Sequence, residues 1–197
     1  MFTFDLQHGF KTNLLSQESI ILGIDPGTNL MGYGIIKITG NKPSLLSMGV
    51  IHLVKYDNHA LKLKRIFERV SGIIREYKPD EMALEAPFFG KNVQSMLKLG
   101  RAQGVAMAAG LSLDVPIVEY SPRKIKQSLT GSGAASKEQV AAMLKSIFKY
   151  KETPQHLDAT DGLAVALCHY YQKGTITASK NYSGWEAFVK QNPKRTK

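Results

Sequence analysis

Four acidic residues stand where the surrounding residues are apolar. Asp25 closes the run Ile20-Ile-Leu-Gly-Ile24 and turns through Pro26-Gly27-Thr28 into a second apolar run around Gly32-Tyr33-Gly34-Ile35-Ile36. Glu85 ends Glu81-Met-Ala-Leu84, directly before Ala86-Pro87-Phe88-Phe89-Gly90. Asp158 and Asp161 lie three apart at the start of Leu157-Asp-Ala-Thr-Asp-Gly-Leu-Ala-Val-Ala-Leu167. A carboxylate at the mouth of a buried element is costly unless a cation, a proton or hydrogen bonds compensate it. Together the four suggest a divalent-metal site. Hard oxygen donors suit Mg²⁺ or Mn²⁺ rather than zinc, and carboxylates that hold two such ions are a device of phosphodiester hydrolysis.

Taken singly, each acid has a simpler explanation. Asp-Pro-Gly is ordinary turn chemistry. Glu85 could pair with one of many lysines, and acids in a first helical turn meet the helix dipole favourably. The metal reading therefore depends on the four acting together.

The elements that would position them follow from the apolar patterns. Strands are expected at Ser19–Ile24, Tyr33–Ile38 and Leu45–His52, the first two forming a hairpin that places Asp25 at its mouth. Helical spacing of Leu63, Ile66, Phe67, Val70, Ile73, Ile74 and Tyr77 predicts a helix over Ala60–Tyr77, followed by a strand at Glu81–Glu85. A Gly- and Ala-rich helix is expected over Asn92–Leu113 and a strand over Val115–Tyr120. A helix opens at Ser121-Pro122. A capping box of Ser136 and Gln139 starts another, which runs to about Lys149. Thr153-Pro154 opens a last helix to about Gln172. The whole is an α/β architecture with a mixed five-stranded sheet flanked by helices. Residues 1–18 read as a flexible extension, 19–173 as one domain, and 174–197 as a basic tail.

The chain carries 26 Lys and Arg against 16 Asp and Glu, a formal net charge of +10 over 197 residues. Such an excess favours a polyanionic partner, most often nucleic acid. No basic amphipathic stretch suggests a membrane anchor, no signal-peptide core precedes the domain, and a cytoplasmic location is expected. The one cysteine, Cys168, excludes an internal disulfide and reads as a small buried hydrophobe. His52, His156 and His169 show no persuasive ligand spacing.

Ile24-Asp25-Pro-Gly-Thr28, Leu84-Glu85 with Phe88 and Lys91-Asn92, Leu97-Lys98-Leu99-Gly100, Glu119-Tyr120, Lys124-Ile-Lys126-Gln127 and Asp158-Ala-Thr-Asp161-Gly closely resemble the RuvC family of bacterial Holliday-junction resolvases. The likeness spans about residues 20–171 in order. It implies an RNase H-like fold, a homodimer, Mg²⁺-dependent symmetric nicking of four-way junction DNA, and branch-migration partners of the RuvA and RuvB types. By motif position Asp25, Glu85, Asp158 and Asp161 match the family's metal-binding catalytic acids, though some members carry His at the position of Asp158. Phe88 matches an aromatic that unstacks junction bases, and Lys126 and Lys137 match lysines near the scissile phosphate. Without the family, Phe88 and Phe89 would simply pack under their loop, and each lysine would be a solvated surface residue. Lys91, Lys98, Arg101 and Lys124 flank the acid-bearing elements and are expected to contact DNA phosphates. Competing readings are an actin-like ATPase, a junction-binding protein with vestigial acids, and an RNase H-like nuclease acting on RNA. The first fits poorly because such chains are much longer.

Overall fold

The computed structural model describes residues 18–87, 92–150 and 157–178. Three strands come first: β1 (Glu18–Asp25), β2 (Leu30–Thr39) and β3 (Lys42–His52). They are followed by α1 (His59–Tyr77), β4 (Glu81–Glu85), α2 (Val93–Leu111), β5 (Ile117–Tyr120), α3 (Pro122–Thr130), α4 (Lys137–Phe148) and α5 (Asp158–Ala178). The sheet order is β3-β2-β1-β4-β5. The first three strands pair antiparallel, whereas β1–β4 and β4–β5 pair parallel, so the sheet is mixed, as expected. No helix among the described residues is long and apolar enough to cross a membrane.

Register brings the strand ends that matter to one edge. Asp25 sits opposite Gly32, Ile24 beside Leu84, and Glu85 beside Tyr120. Because side chains alternate along a strand, the sheet feeds two cores. Leu22, Ile24, Met31, Met82 and Leu84 pack against α1 and α2, while Ile21, Ile36, Ile38 and Ala83 pack against α3, α4 and α5.

Local signals set most helix ends. Asn58 caps α1 by accepting from the Ala60 amide at 2.7 Å, and Lys78 closes it in the left-handed region at φ 48°. Ser121 caps α3 with Pro122 in its first turn, and the Ser136–Gln139 capping box opens α4. Several boundaries differ from expectation: β2 begins at Leu30 rather than Tyr33, α2 ends at Leu111 rather than Leu113, and α5 runs on to Ala178 rather than Gln172. Asn92 is the cap of α2 rather than its first residue, accepting from the Ser95 amide at 3.0 Å. β5 starts at Ile117, after Pro116, whose ring leaves no N–H for a ladder; its carbonyl accepts from Met82 instead. β3 begins earlier, at Lys42, and carries Pro43, which an edge strand tolerates. The expected start of the last helix at Thr153-Pro154 lies outside the described residues, where α5 is seen from Asp158. So do residues 1–17 and 179–197 of the expected extension and tail.

α5 lies across β1 and β2 at unusually short range. A Cβ on Gly32 would sit 1.8 Å from the Asp158 carbonyl oxygen, and one on Gly162 would sit 2.5 Å from the Tyr33 Cα. Only glycine permits this backbone-on-backbone contact. It carries the first turn of α5 down onto β2 at Gly32, the residue paired with Asp25.

Candidate metal centre

Three structural routes deliver the acids. β1 ends in Asp25, the central parallel strand β4 ends in Glu85, and the glycine-lined crossing seats Asp158 and Asp161 from the first turn of α5. Carboxylate oxygens of Asp25, Asp158 and Asp161 lie within 4.8 Å of one another. Glu85 is not part of that trio but shares a cavity of about 260 Å³ with Asp25, Asp161, Lys126 and Lys137. A smaller pocket of about 80 Å³ on the α2 side is also lined by Asp25 and Glu85, with Pro87, Leu99 and Gln103. All four expected acids thus meet at one edge of the sheet, at the carboxyl ends of β1 and β4.

The electrostatics record the crowding. Burial raises the Asp25 carboxyl well above its ordinary value; the charges of Glu85, Asp161 and Asp158 raise it further, and Lys137 opposes them. Glu85 is raised to about 7, first by burial and then by Asp161, with Lys137 and Lys126 pulling it back. Lys137, at the start of α4, donates to Asp161 Oδ2 at 2.6 Å. Burial disfavours its charge, but the bond to Asp161 and the charges of Asp161, Asp25 and Asp158 outweigh that, so its pKa is raised. Even with this internal ammonium, Glu85 stays raised to about 7 and Asp25 is shifted in the same direction. Such a site gains by exchanging protons for a cation of higher charge. The trio supplies only hard oxygen donors, which fit a divalent ion of the Mg²⁺ type.

The other expected residues divide. Lys126 lines the acid cavity; Lys124, also on α3, is exposed and does not. Lys98 and Arg101 are exposed on α2, close enough to α1 that their charges, with that of Lys62 and after the effect of burial, lower the His59 pKa. Lys62 in turn donates to the Thr28 carbonyl at 2.9 Å, bracing the turn that follows Asp25. Phe88 and Lys91 lie outside the described residues. Cys168 is buried, as expected.

Sequence reading passed over two groups near the acids. The buried Gln103 side chain donates to the Glu85 carbonyl oxygen at 3.4 Å and to the Glu119 carboxylate. His169, set aside as a ligand, is buried and bonded to Glu81 and Tyr120. Neither carries a clear sequence signal: α2 also bears Gln94, Ser95, Lys98 and Arg101, and His169 stands where α5 turns polar, before Tyr170-Tyr171-Gln172-Lys173.

A mixed sheet of this order, with carboxylates converging at the ends of its central strands, defines a metal-dependent nuclease of the RNase H-like class. The profile described as crossover junction endodeoxyribonuclease RuvC matches residues 21–169. The chain is 64% identical over 180 residues to the crossover junction endodeoxyribonuclease RuvC of Cytophaga hutchinsonii, covering 91% of this chain and 89% of that one. It is 60% identical over 185 residues to the protein of that name from Christiangramia forsetii, covering 94% and 96%. Among solved structures, Thermus thermophilus RuvC in complex with Holliday junction substrate superposes with a TM-score of 0.75 at 32% identity, over 81% of this chain and 97% of that one. The chain belongs to the RuvC family of crossover junction endodeoxyribonucleases.

Proposed function

We propose that this protein resolves four-way DNA junctions by paired, symmetric nicks, as a cytoplasmic homodimer acting in recombination and repair. The observation that carries this reading is the convergence of Asp25, Asp158 and Asp161 with Glu85 beside Lys126 and Lys137, in a chain of net charge +10. Asp25, Glu85, Asp158 and Asp161 would hold two Mg²⁺ ions, for which Mn²⁺ could substitute. When bound, such ions activate water for in-line attack on a phosphodiester and stabilise the leaving oxygen.

The protein's own side chains perform the remaining tasks. Lys126, on the cavity wall, places a point charge where a phosphate would enter. Lys137 spans the acids and the same cavity, so its ammonium balances the carboxylates before substrate arrives and faces the phosphate afterwards. Lys98, Arg101, Lys124 and Lys91 contribute phosphate contacts further out. Phe88 would stack on an unpaired base at the junction centre. A two-fold dimer presents two acid clusters to two strands of like polarity, matching protein symmetry to junction symmetry. α2 offers a surface for it: Val93, Leu97 and Leu111 are exposed, and no described residue packs over Gly100 or Gly104. Proteins of the RuvA and RuvB types would deliver the junction.

The test is a labelled synthetic four-way junction incubated with the protein and Mg²⁺, then with EDTA. Paired nicks at symmetric positions that vanish in EDTA are expected. Asp25→Asn should abolish cleavage yet leave junction binding intact, because affinity rests on phosphate contacts. Cleavage at the wild-type rate by Asp25→Asn would defeat the assignment.

A further inference from the structure

Behind the acid cluster, a chain of polar side chains links β4, β5 and α5 through the buried His169, with Glu81 and Tyr120 half-buried. The Tyr120 hydroxyl lies 2.8 Å from His169 Nδ1, and His169 Nε2 lies 2.7 Å from Glu81 Oε2. Lys173 donates to the other oxygen of Glu81 at 2.9 Å. Since the Glu81 carboxylate can only accept, Nε2 carries the proton on that side, and the Tyr120 hydroxyl bonds Nδ1. Burial alone would raise the Glu81 carboxyl, but the bonds from Lys173 and His169 hold it below its ordinary value. Burial, then Cys168 and Glu81, push the Tyr120 hydroxyl up to about 12, so it keeps its donor proton. His169 is 5% exposed.

The positions along the two elements are informative. β4 runs toward the acid cluster and ends in Glu85; α5 starts at the cluster and runs away from it. From Glu81 to Glu85 a strand rises about 13 Å. From Asp161 to His169 a helix rises about 12 Å. The two spans are matched, and their far ends are joined by the Glu81–His169 bond. Tyr120 adds a brace from β5, whose end pairs with Glu85.

We propose that Glu81, His169 and Tyr120 form a register clamp: positioning residues that fix how far α5 sits along β4, and hence where Asp158 and Asp161 stand relative to Glu85. The glycine contacts seat α5 against β1 and β2, whereas the Glu81–His169 bond ties it to β4, the strand that carries Glu85. Bonds from Lys137 to Asp161 and from Tyr170 to the Asn41 carbonyl also hold α5, but neither reaches β4; apolar contacts are non-directional, whereas a hydrogen bond is directional. A slip of one residue moves an acid about 1.5 Å along the axis, far beyond the tolerance of about 0.2 Å in a metal site. The clamp rests on the reading of the four acids as metal holders, and it names residues that no metal or phosphate touches.

Calorimetric titration of Mn²⁺ into the full chain without DNA tests it, beside single-turnover junction cleavage and junction affinity in EDTA. His169→Ala should weaken Mn²⁺ binding by about 10-fold or more and slow cleavage at saturating junction, with junction affinity unchanged. His169→Gln keeps a donor toward Glu81 and should recover most of the loss. Tyr120→Phe, which removes one hydroxyl, should weaken Mn²⁺ binding in the same direction, and it carries the test if His169→Ala does not fold. A variant that melts earlier but binds Mn²⁺ and cleaves like wild type well below its melting temperature would overturn the clamp, leaving His169 a structural residue. A wild-type chain that binds no Mn²⁺ would instead defeat the metal reading, and the clamp with it.

Discussion

The two faces of the sheet are packed by different means. On one, α1 and α2 meet the strands through side chains: Ile66, Val70, Ile73 and Ile74 of α1, with Ala102, Ala106 and Ala109 of α2, fill the space over Leu22, Ile24, Met82 and Leu84. On the other, the first turns of α5 rest on the backbone of β1 and β2, with no side chain between them at Gly32 and Gly162. Side-chain packing tolerates repacking, because neighbouring rotamers can absorb a missing methyl. A backbone contact has no such slack. Both faces bury an apolar core, but only the second adds the backbone contact that sets where Asp158 and Asp161 stand.

Paired substitutions would break that contrast if it is wrong. Gly32→Ala sets a methyl against the Asp158 carbonyl and must push the start of α5 outward. Since a displacement of about 1 Å can cost about 100-fold in rate, single-turnover cleavage should fall by about that much. Ile66→Val, on the opposite face, should cost about 0.5–1.5 kcal/mol in urea unfolding and leave cleavage at the wild-type rate. Comparable losses of cleavage from the two would erase the distinction.

Smaller effects sharpen it. Lys137→Ala removes the ammonium bonded to Asp161 and the charge that holds Glu85 down. The pH at which cleavage rises should move upward, with the rate at neutral pH reduced about 10-fold. Lys98→Ala and Arg101→Ala, on the α1–α2 side, should act on affinity alone. Removing either charge from a phosphate should flatten the log–log salt dependence of junction binding by about 0.9, with the cleavage rate of bound junction unchanged.

The smallest effect concerns the protein without metal. Glu85 titrates at about 7 in the folded chain against an ordinary 4.5. Between those values the folded state binds more protons than the unfolded one, so stability must fall as pH rises from about 4.5 to about 7. Asp25, raised in the same direction, adds to the trend. Melting curves in EDTA should show this decline, and added Mg²⁺ should stabilise the protein more at pH 8 than at pH 5. A melting temperature in EDTA that climbs over that interval would contradict the raised carboxyls.

Much of this was legible in the sequence, for identifiable reasons. The hairpin of β1 and β2 announces itself because an apolar run, a Pro-Gly turn and a second apolar run leave few alternatives. The acids stand out because each interrupts an apolar context. The clamp does not stand out: Glu81 and His169 are 88 residues apart, Tyr120 and His169 are 49 apart, and each is unremarkable in its own segment. Gly32 was visible as part of a motif, but its purpose belongs to the carbonyl of Asp158, which only the folded chain brings near it. The starts of α2 and β5 were missed by a residue or two, where the capping of Asn92 and the missing N–H of Pro116 decided the boundary. Lys98, Arg101 and Lys124 were found by charge alone, a signal that does not separate residues lining the acid cavity from those outside it.

Among the described residues α5 is the last of ten elements in chain order, and it carries two of the four acids. A growing polypeptide that has reached residue 157 holds Asp25 and Glu85 only, with Ile21, Ile36 and Ala83 of the sheet not yet covered by α5. Because chains begin to fold from the N-terminal side during synthesis, the acid cluster is completed late, after the sheet and α1 to α4 have been made. A truncated or stalled product can carry much of the basic surface that would hold DNA, yet it lacks the means to nick it.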